Sequence, residues 1–505
     1  MTIVSVFTIQ PQVLTGTVVS VEVDLSRGLY SFSVVGLAGK AIEEAKDRVN
    51  AAIKHSGFTA PKSANQKIVI SLSPADLKKE GPLFDLPIAI AYLAATGMVF
   101  KDLDHTILAG ELALDGSLRP VRGILTLVTE AKKQGFTEII VPKENAVEAA
   151  LVGDINIYGA DNLASVVKHL LKNIEDQELL TPQPETAIST TPQESAVSLT
   201  DIKGQESAKR ALEIAAAGRH NILLVGPPGT GKTMLARALI DLLPPLTKTE
   251  ALTVNAIHSA AGQLSTISNN PPLRTPHHTS SHVALVGGGS HPQPGEITLA
   301  HKGVLFMDEF PEFDRRTLDA LRQPLEDKQI TIARVQGTVT YPADFILVAA
   351  LNPYRGREDG TTNLARALEE TYKGKVSGPI LDRIDLWVEV PHISYDKLQT
   401  RSDPDAAAVA MAKNRIAQAR KRMRARLEKR TADCNANLSA RDLEATVILR
   451  PEVQELLKKS ATKLNLSPRS YHRLIKVART IADLDNDADI ATRHVLEALQ
   501  YRIPN

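Results

Sequence analysis

One glycine-rich segment constrains this chain more than any other feature. Residues 221–225 read NILLV, an apolar strand, and residues 234–243 read MLARALIDLL, a helix. The eight residues between them are Gly226, Pro227, Pro228, Gly229, Thr230, Gly231, Lys232 and Thr233. This is G-x-x-x-x-G-K-T in a strand–loop–helix context, so a chance glycine-rich turn is a poor explanation. Backbone N–H groups and a helix N-terminus favour phosphate here, which predicts that Lys232 reaches the β- and γ-phosphates of a nucleotide and that Thr233 binds Mg²⁺.

Two more apolar strands end in polar residues. Residues 304–307 are followed by Asp308 and Glu309, and residues 345–351 are followed by Asn352. Doubly wound folds bind ligands at the carboxyl ends of their strands. We expect Asp308 to bind Mg²⁺, Glu309 to polarise the attacking water and Asn352 to orient water or contact the γ-phosphate. A solvated acidic turn is the alternative for the acidic pair.

The order of patterns predicts four regions. Residues 1–172 mix alternating strands with helices and form an α/β domain. Residues 173–198 are rich in Pro, Thr, Ser, Gln and Glu, which is typical of an exposed linker. Residues 199–390 repeat strand, loop and helix, which predicts a parallel sheet, and residues 391–505 are almost wholly helical.

Composition excludes several classes of protein. The 505 residues carry 59 Lys and Arg against 58 Asp and Glu, so the chain as a whole is neither a polycation nor a polyanion. The single cysteine, Cys434, rules out an internal disulfide framework. The N-terminus lacks the pattern of a secretory signal, and no apolar stretch is long enough to span a membrane. A cytoplasmic protein is expected.

Together these motifs resemble the AAA+ ATPases. Three more specific segments, residues 274–289, 287–313 and 377–391, resemble the magnesium-chelatase-like branch of the ComM/YifB, competence-associated type. The resemblance covers nearly the whole chain. It implies that residues 226–233 are the Walker A motif, that Asp308 and Glu309 are Walker B, and that Asn352 is sensor 1.

The resemblance also implies two arginine roles and a ring. Arg383, in SGPILDRID, matches an arginine finger that reaches the neighbouring subunit's γ-phosphate, and Arg469 matches the sensor 2 arginine. An ion pair with Asp382 or Asp385 is the alternative for Arg383, and Arg473 is the rival of Arg469. A finger that acts across an interface implies a homo-hexamer.

The N-terminal region resembles the proteolytic domain of Lon but departs from it. Leu83 stands where that family has its catalytic serine and Leu125 where it has the lysine, so no peptidase activity is expected. The cysteines that relatives carry after the Asn-Pro of sensor 1 are also missing, which excludes a zinc ribbon there. Two insertions, at about 255–300 and as a hairpin near Gln336, are expected to touch substrate, with Arg334 as a candidate phosphate contact.

Residues 411–430 form a basic helix with nine Lys or Arg and one acid. This predicts sequence-independent contact with DNA phosphates, or else a solvated face. The preferred hypothesis is a branch-migration helicase acting on recombination intermediates, with recombination proteins as candidate partners. The alternative is a protein-remodelling ATPase that recruits clients through the Lon-like domain, and a metal-insertion motor ranks last.

Overall fold

The computed structural model describes residues 5–12, 14–63, 65–98, 100–172, 178–188, 197–264, 266–289, 293–334, 337–352, 376–393 and 406–502. The chain divides into two compact units. Unit 1 holds residues 1–189 and 248–269, and unit 2 holds residues 190–247 and 270–505. In the described part of the chain, no helix has the length and apolar character that crossing a membrane requires.

Unit 1 is a mixed α/β domain. Its strands are β1 (Ser5–Gln12), β2 (Thr15–Arg27), β3 (Ser31–Val35), β4 (Gln66–Ser73), β5 (Thr106–Leu108), β6 (Glu111–Leu112), β7 (Leu118–Arg119), β8 (Glu138–Pro142) and β9 (Asn156–Ala160). Its helices are α1 (Lys40–His55), α2 (Asp85–Ala95), α3 (Ile124–Lys133), α4 (Lys143–Ala149) and α5 (Leu163–Leu170), with 3₁₀ turns at Pro61–Ser63 and Pro82–Phe84.

A seven-stranded sheet in the order β3-β4-β2-β1-β5-β8-β9 organises unit 1. Strands β1, β2 and β4 pair antiparallel, and the other neighbours pair parallel. Helix α2 is buried along nearly its whole length, since its sequence DLPIAIAYLAA is apolar on every side. The strands and helices predicted for the N-terminal region are confirmed.

A helix from the later part of the chain completes unit 1. This insertion helix, Lys248–Ala260, follows the helix after the glycine-rich loop in sequence but packs on α3, where Ala256 joins the hydrophobic core. Lys248 also pairs with Glu185 at 2.8 Å. Residues 178–188, assigned to the linker by composition, lie along unit 1 as well, because Leu180 and Ile188 pack on its core.

Unit 2 has a parallel sheet and many helices. Its strands are β10 (Ile222–Val225), β11 (Leu273–Arg274), β12 (Gly287–Gly288), β13 (Gln293–Pro294), β14 (Val304–Met307), β15 (Gln329–Arg334), β16 (Gly337–Pro342), β17 (Ile346–Leu351) and β18 (Leu386–Glu389). Its helices up to β18 are α6 (Glu206–Gly218), α7 (Lys232–Leu242), α8 (His282–Val286), α9 (Glu296–Leu299), α10 (Arg315–Ala320), α11 (Arg322–Asp327) and α12 (Gly378–Leu381). The C-terminal helices are α13 (Ala406–Leu427), α14 (Ala440–Thr446), α15 (Pro451–Lys463), α16 (Pro468–Leu484) and α17 (Thr492–Gln500). Three 3₁₀ turns lie at Leu199–Asp201, Phe310–Glu312 and Asn435–Asn437.

The central sheet of unit 2 has five parallel strands in the order β11-β14-β17-β10-β18. Strands β10, β14 and β17 are buried at every residue, as expected for a sheet covered on both faces. The predicted parallel sheet and helical C-terminal region are therefore confirmed. The predicted hairpin is β15 and β16, whose register pairs Arg334 with Gly337.

Candidate nucleotide site

The loop between β10 and α7 has the backbone of a phosphate-binding turn. Gly229 and Gly231 lie in the left-handed region, at φ of 79° and 90°, which favours glycine. A Cβ at Gly226 would lie 2.1 Å from the carbonyl oxygen of Val390, so no side chain fits there. Thr230 closes the turn by donating its hydroxyl to the Pro227 carbonyl at 2.9 Å.

Lys232 begins α7 and is buried beneath this loop. Its ammonium donates to the carbonyls of Gly226 and Pro227, each at 2.8 Å. Burial lowers the pKa of Lys232, because desolvation disfavours the charged form. A phosphate would offer this ammonium a full counter-charge in place of two neutral carbonyls.

The sheet register brings the predicted residues to one edge. Met307 of β14 lies beside Ala349 of β17, and Leu351 lies beside Val225 of β10. The residues after these three strands are Asp308, Asn352 and Gly226. Because the strands are parallel, the carboxylate, the amide and the phosphate-binding loop meet at the same carboxyl edge.

Thr233 and Asp308 form an oxygen pair suited to Mg²⁺. The Thr233 hydroxyl donates to Asp308 Oδ2 at 3.2 Å, and both side chains reach solvent. Hydroxyl and carboxylate oxygens are the ligands that Mg²⁺ prefers in proteins. These two oxygen ligands fit the predicted Mg²⁺, and water and phosphate oxygens would complete its coordination shell.

Glu309 has an unusual backbone and an unpredicted partner. It is the second residue after β14 and adopts φ of 50°, a strained conformation for a non-glycine residue. Its carboxylate lies 3.3 Å from Nδ1 of His278, and the His278 ring packs on that of His277 at 4.2 Å. Sequence reasoning missed this contact, for which the histidine pair in residues 274–289 was the only signal.

Asn352 is the last described residue before a gap. Its Oδ1 is buried and has no hydrogen-bond partner among the described residues. Unpartnered buried polar atoms are uncommon, and one at this edge fits a role in binding water or phosphate. Residues 353–357, where the zinc ribbon was excluded, lie outside the described residues.

The two predicted arginines lie away from this edge. Arg383 precedes β18, which is parallel to β10, so it lies at the amino edge of the sheet, opposite the phosphate loop. Its guanidinium pairs with Glu326, not with Asp382 or Asp385 as the alternative proposed. Arg469 also contacts Glu326, at 3.1 Å.

Arg473, the rival of Arg469, is engaged elsewhere. Its guanidinium donates to Asp385 at 2.8 Å, and this buried carboxylate also contacts His220 at 3.2 Å. Burial alone would raise the pKa of Asp385, but Arg473 and His220 hold it well below its ordinary range. Arg473 is thus tied to a structural carboxylate, whereas the Arg469 side chain is 61% exposed.

Comparison with known proteins decides the family. Three family models match: "Magnesium chelatase, subunit ChlI" over residues 198–398, "Subunit ChlI of Mg-chelatase" over 21–145 and "Magnesium chelatase, subunit ChlI C-terminal" over 407–502. Competence protein ComM of Haemophilus influenzae is 43% identical over 489 residues, which cover 96% of this chain and 94% of the relative. Protein YifB of Escherichia coli is 44% identical with the same coverage. The chain belongs to the magnesium-chelatase-like ComM/YifB family.

A more distant match carries less weight. A DNA replication licensing factor of Drosophila melanogaster is 27% identical over 170 residues, 34% of this chain and 18% of that protein. The nucleotide and Mg²⁺ that this family of AAA+ proteins uses in general fit the sheet edge described above.

The basic helix of this ComM/YifB protein is largely engaged within unit 2. Six of its nine basic side chains contact the protein's own groups: Lys413 to Asp241, Arg415 to Glu213, Arg420 to the Ala216 carbonyl, Arg422 to the Asp483 carbonyl, Arg426 to Asp483 and Arg430 to Asp442. The remaining three, Lys421, Arg424 and Lys429, are exposed and make no ion pair among the described residues. The helix ends at Leu427, so Lys429 and Arg430 follow it, whereas the sequence predicted a helix as far as Arg430. The cationic surface is therefore narrower than the sequence suggests.

The N-terminal positions that depart from Lon are core residues. Leu83 is 6% exposed and Leu125 is 1% exposed, and both belong to the hydrophobic core of unit 1. Neither lies where a peptide bond could reach it. Within the described part of the chain, no three His, Cys, Asp or Glu side chains are grouped as a metal site.

Proposed function

We propose that this protein is a Mg²⁺-dependent ATPase that assembles as a hexameric ring and drives branch migration of DNA. One observation carries the ATPase step: Lys232, Thr233, Asp308, Glu309 and Asn352 follow strands that end at the same sheet edge. The 43% identity to a protein named for competence supports a role in handling incoming DNA.

The proposed hydrolysis uses the residues of that edge. Lys232 leaves the loop carbonyls to bind the β- and γ-phosphates. Thr233 and Asp308 would hold Mg²⁺, which supplies charge neutralisation to the phosphates when bound. Glu309 polarises the attacking water, and Asn352 orients that water or contacts the γ-phosphate.

The position of Arg383 supports the proposed ring. At the amino edge of its own sheet, Arg383 is far from the phosphate loop of the same chain. It can therefore serve a phosphate only in a neighbouring subunit, and a cation supplied across an interface stabilises the transition state for phosphoryl transfer. Repetition of such a head-to-tail interface gives a closed ring when the rotation between subunits closes, and we propose closure at six subunits.

Contact with DNA is proposed through phosphates, without reading sequence. Lys421, Arg424 and Lys429 are the exposed cations of residues 411–430 that make no ion pair among the described residues, and Arg334 ends a strand of the β15–β16 hairpin. Such contacts weaken steeply as salt concentration rises.

The internal engagement of six basic side chains is the observation that favours the second candidate, a protein-remodelling ATPase. ATP hydrolysis separates the two. It should be measured with and without single-stranded, duplex and four-way-junction DNA at two salt concentrations. Stimulation by branched DNA that fades with salt supports the DNA motor. Indifference to every DNA, with stimulation by an unfolded protein, supports remodelling.

For unit 1 we propose a Lon-like fold without peptidase activity. The burial of Leu83 and Leu125 supports this, since an apolar core offers neither a nucleophile nor a base. Purified protein should leave casein intact with or without ATP. Cleavage that a serine or lysine substitution elsewhere in residues 1–170 abolishes would overturn the proposal.

A further inference from the structure

Glu326, on α11, is the shared partner of the two predicted arginines. Nη2 of Arg383 donates to Glu326 Oε2, and Nη2 of Arg469 donates to Glu326 Oε1 at 3.1 Å. The three residues are far apart in sequence, so the fold alone brings them together. One carboxylate thus bridges two guanidinium groups, as a phosphate would.

The members of this cluster differ in how firmly they are held. The Arg383 side chain is 9% exposed, and its Nη1 donates to the Pro379 carbonyl at 2.5 Å. The Glu326 side chain is 49% exposed. The arginine is held in place by its surroundings, whereas the carboxylate can turn into solvent at little cost.

The charges of the cluster do not balance. Hydrogen bonding to Arg383, followed by the charges of Arg383, Arg469 and Arg473, holds the pKa of Glu326 below its ordinary value, so it is ionised at neutral pH. Two guanidinium groups against one carboxylate leave an excess of positive charge. Nε of Arg383 is also buried without a hydrogen-bond partner among the described residues. The cluster can therefore accept a more highly charged anion than Glu326.

We propose that Glu326 is a placeholder: its carboxylate neutralises Arg383 and Arg469 in the separate subunit and is displaced by the nucleotide phosphate of the neighbouring subunit when the ring forms. This inference rests on the proposed ATPase and its interfacial arginine. Glu326 provides the counter-charge that a buried guanidinium needs before assembly. It also competes with phosphate, and so sets the protein concentration at which the ring becomes active.

The test is ATP hydrolysis per subunit as a function of protein concentration for wild type, Glu326→Gln, Arg383→Ala and the double variant. Glu326→Gln keeps the side chain's shape and removes its charge. We expect it to lower the protein concentration for half-maximal activity about fivefold, the scale of one exposed ion pair. Asp327→Asn is the matched control, because it removes a neighbouring exposed carboxylate that makes no ion pair among the described residues.

The double variant isolates the interaction. Because Arg383→Ala should itself be nearly inactive, this comparison uses ring formation against protein concentration, in which removing Glu326 should have less effect once Arg383 is absent and only Arg469 remains. If Glu326→Gln leaves the protein concentration for half-maximal activity unchanged, the proposal is overturned. If the maximal rate also falls, Glu326 instead positions Arg383 for catalysis. If thermal unfolding shows that Glu326→Gln does not fold, Glu326→Asp, which is too short to bridge both arginines, should give a shift in the same direction.

Failure of the proposed function looks different. If wild-type activity is independent of protein concentration, or if Arg383→Ala is fully active, the interfacial arginine itself is wrong, and the placeholder falls with it. If those two proteins behave as expected and only Glu326→Gln does not, the ATPase proposal stands and the placeholder alone is rejected.

Discussion

Lys232 and Glu309 reach the same sheet edge from two strands that flank β17, and substitutions should separate their roles. Lys232→Ala removes the cation aimed at the phosphates, so nucleotide binding should be lost along with hydrolysis. Glu309→Gln keeps the phosphate loop intact and removes only the group that polarises water. We expect it to bind nucleotide normally and to hydrolyse it at least about 100-fold more slowly. Titration with a fluorescent ATP analogue, beside phosphate release, distinguishes the two.

Asp344 provides a prediction about stability and pH. It is 5% exposed and lies 2.8 Å from Lys302 and 3.4 Å from Arg219. Burial would raise its pKa, but these cations hold the pKa far below its ordinary value. A lowered pKa stabilises the folded state above the ordinary value of about 3.9 and ceases to do so as pH falls through the folded value.

Asp344→Asn should therefore lower the free energy of unfolding by about 3 kcal/mol at pH 7, because Arg219 and Lys302 each lose one carboxylate contact, although Lys302 keeps its contact with Asp433. The difference from wild type should shrink below about pH 4. Denaturant unfolding of both proteins at pH 7 and in acid measures it. A difference that stays constant with pH would show that packing, and not charge, stabilises this site.

The sequence could predict the positions of those site residues that directly follow a recognisable strand. Each predicted site feature follows a short apolar strand: the loop at Gly226, the acid pair after β14 and the amide after β17. The carboxyl ends of parallel strands lie at one edge of a sheet, which predicts that these features meet there. Glu326, which meets Arg383 and Arg469, could not be found this way, nor could His278 beside Glu309. Those contacts join distant segments, and no pattern within a single element records them.

Among the elements, the basic helix has two kinds of cation with separable effects. Arg426 donates to the buried carboxylate of Asp483 at 2.8 and 2.6 Å, so Arg426→Ala should lower the unfolding temperature. Changing Lys421, Arg424 and Lys429 together to alanine should leave stability unchanged. It should weaken DNA binding and reduce the slope of log K against log salt by up to about 3. Fluorescence anisotropy across a salt series measures the slope, and an unchanged slope would assign the DNA contact to another surface.

The insertion helix shows the limit of reading domains from the order of elements. Its sequence lies between the phosphate loop and Asp308, so linear order assigns it to the ATPase core. Its apolar side instead packs on α3 of unit 1. Helical periodicity predicts that such a segment has a face to bury, but it does not say which partner buries that face.

At the scale of the whole molecule, the chain passes between its two units three times, at residues 189–190, 247–248 and 269–270. Two of these passages flank the insertion helix, which follows directly after α7. The phosphate-binding helix is therefore continuous in sequence with a segment of unit 1. Residues 243–247 are a short covalent connection between that helix and unit 1.

The proposed assembly of each active site from two subunits makes a prediction that no single variant can test. If Glu309 and Arg383 serve the same ATP from different chains, Glu309→Gln and Arg383→Ala should each be nearly inactive alone. Mixed in equal amounts, they should regain up to about a quarter of wild-type activity, because random assembly pairs an intact Glu309 with an intact Arg383 at one interface in four. Arg383→Ala mixed with a Glu309→Gln/Arg383→Ala double variant is the control and should stay inactive. Equal inactivity of both mixtures, with rings present by size-exclusion chromatography, would mean that Arg383 does not act across the interface.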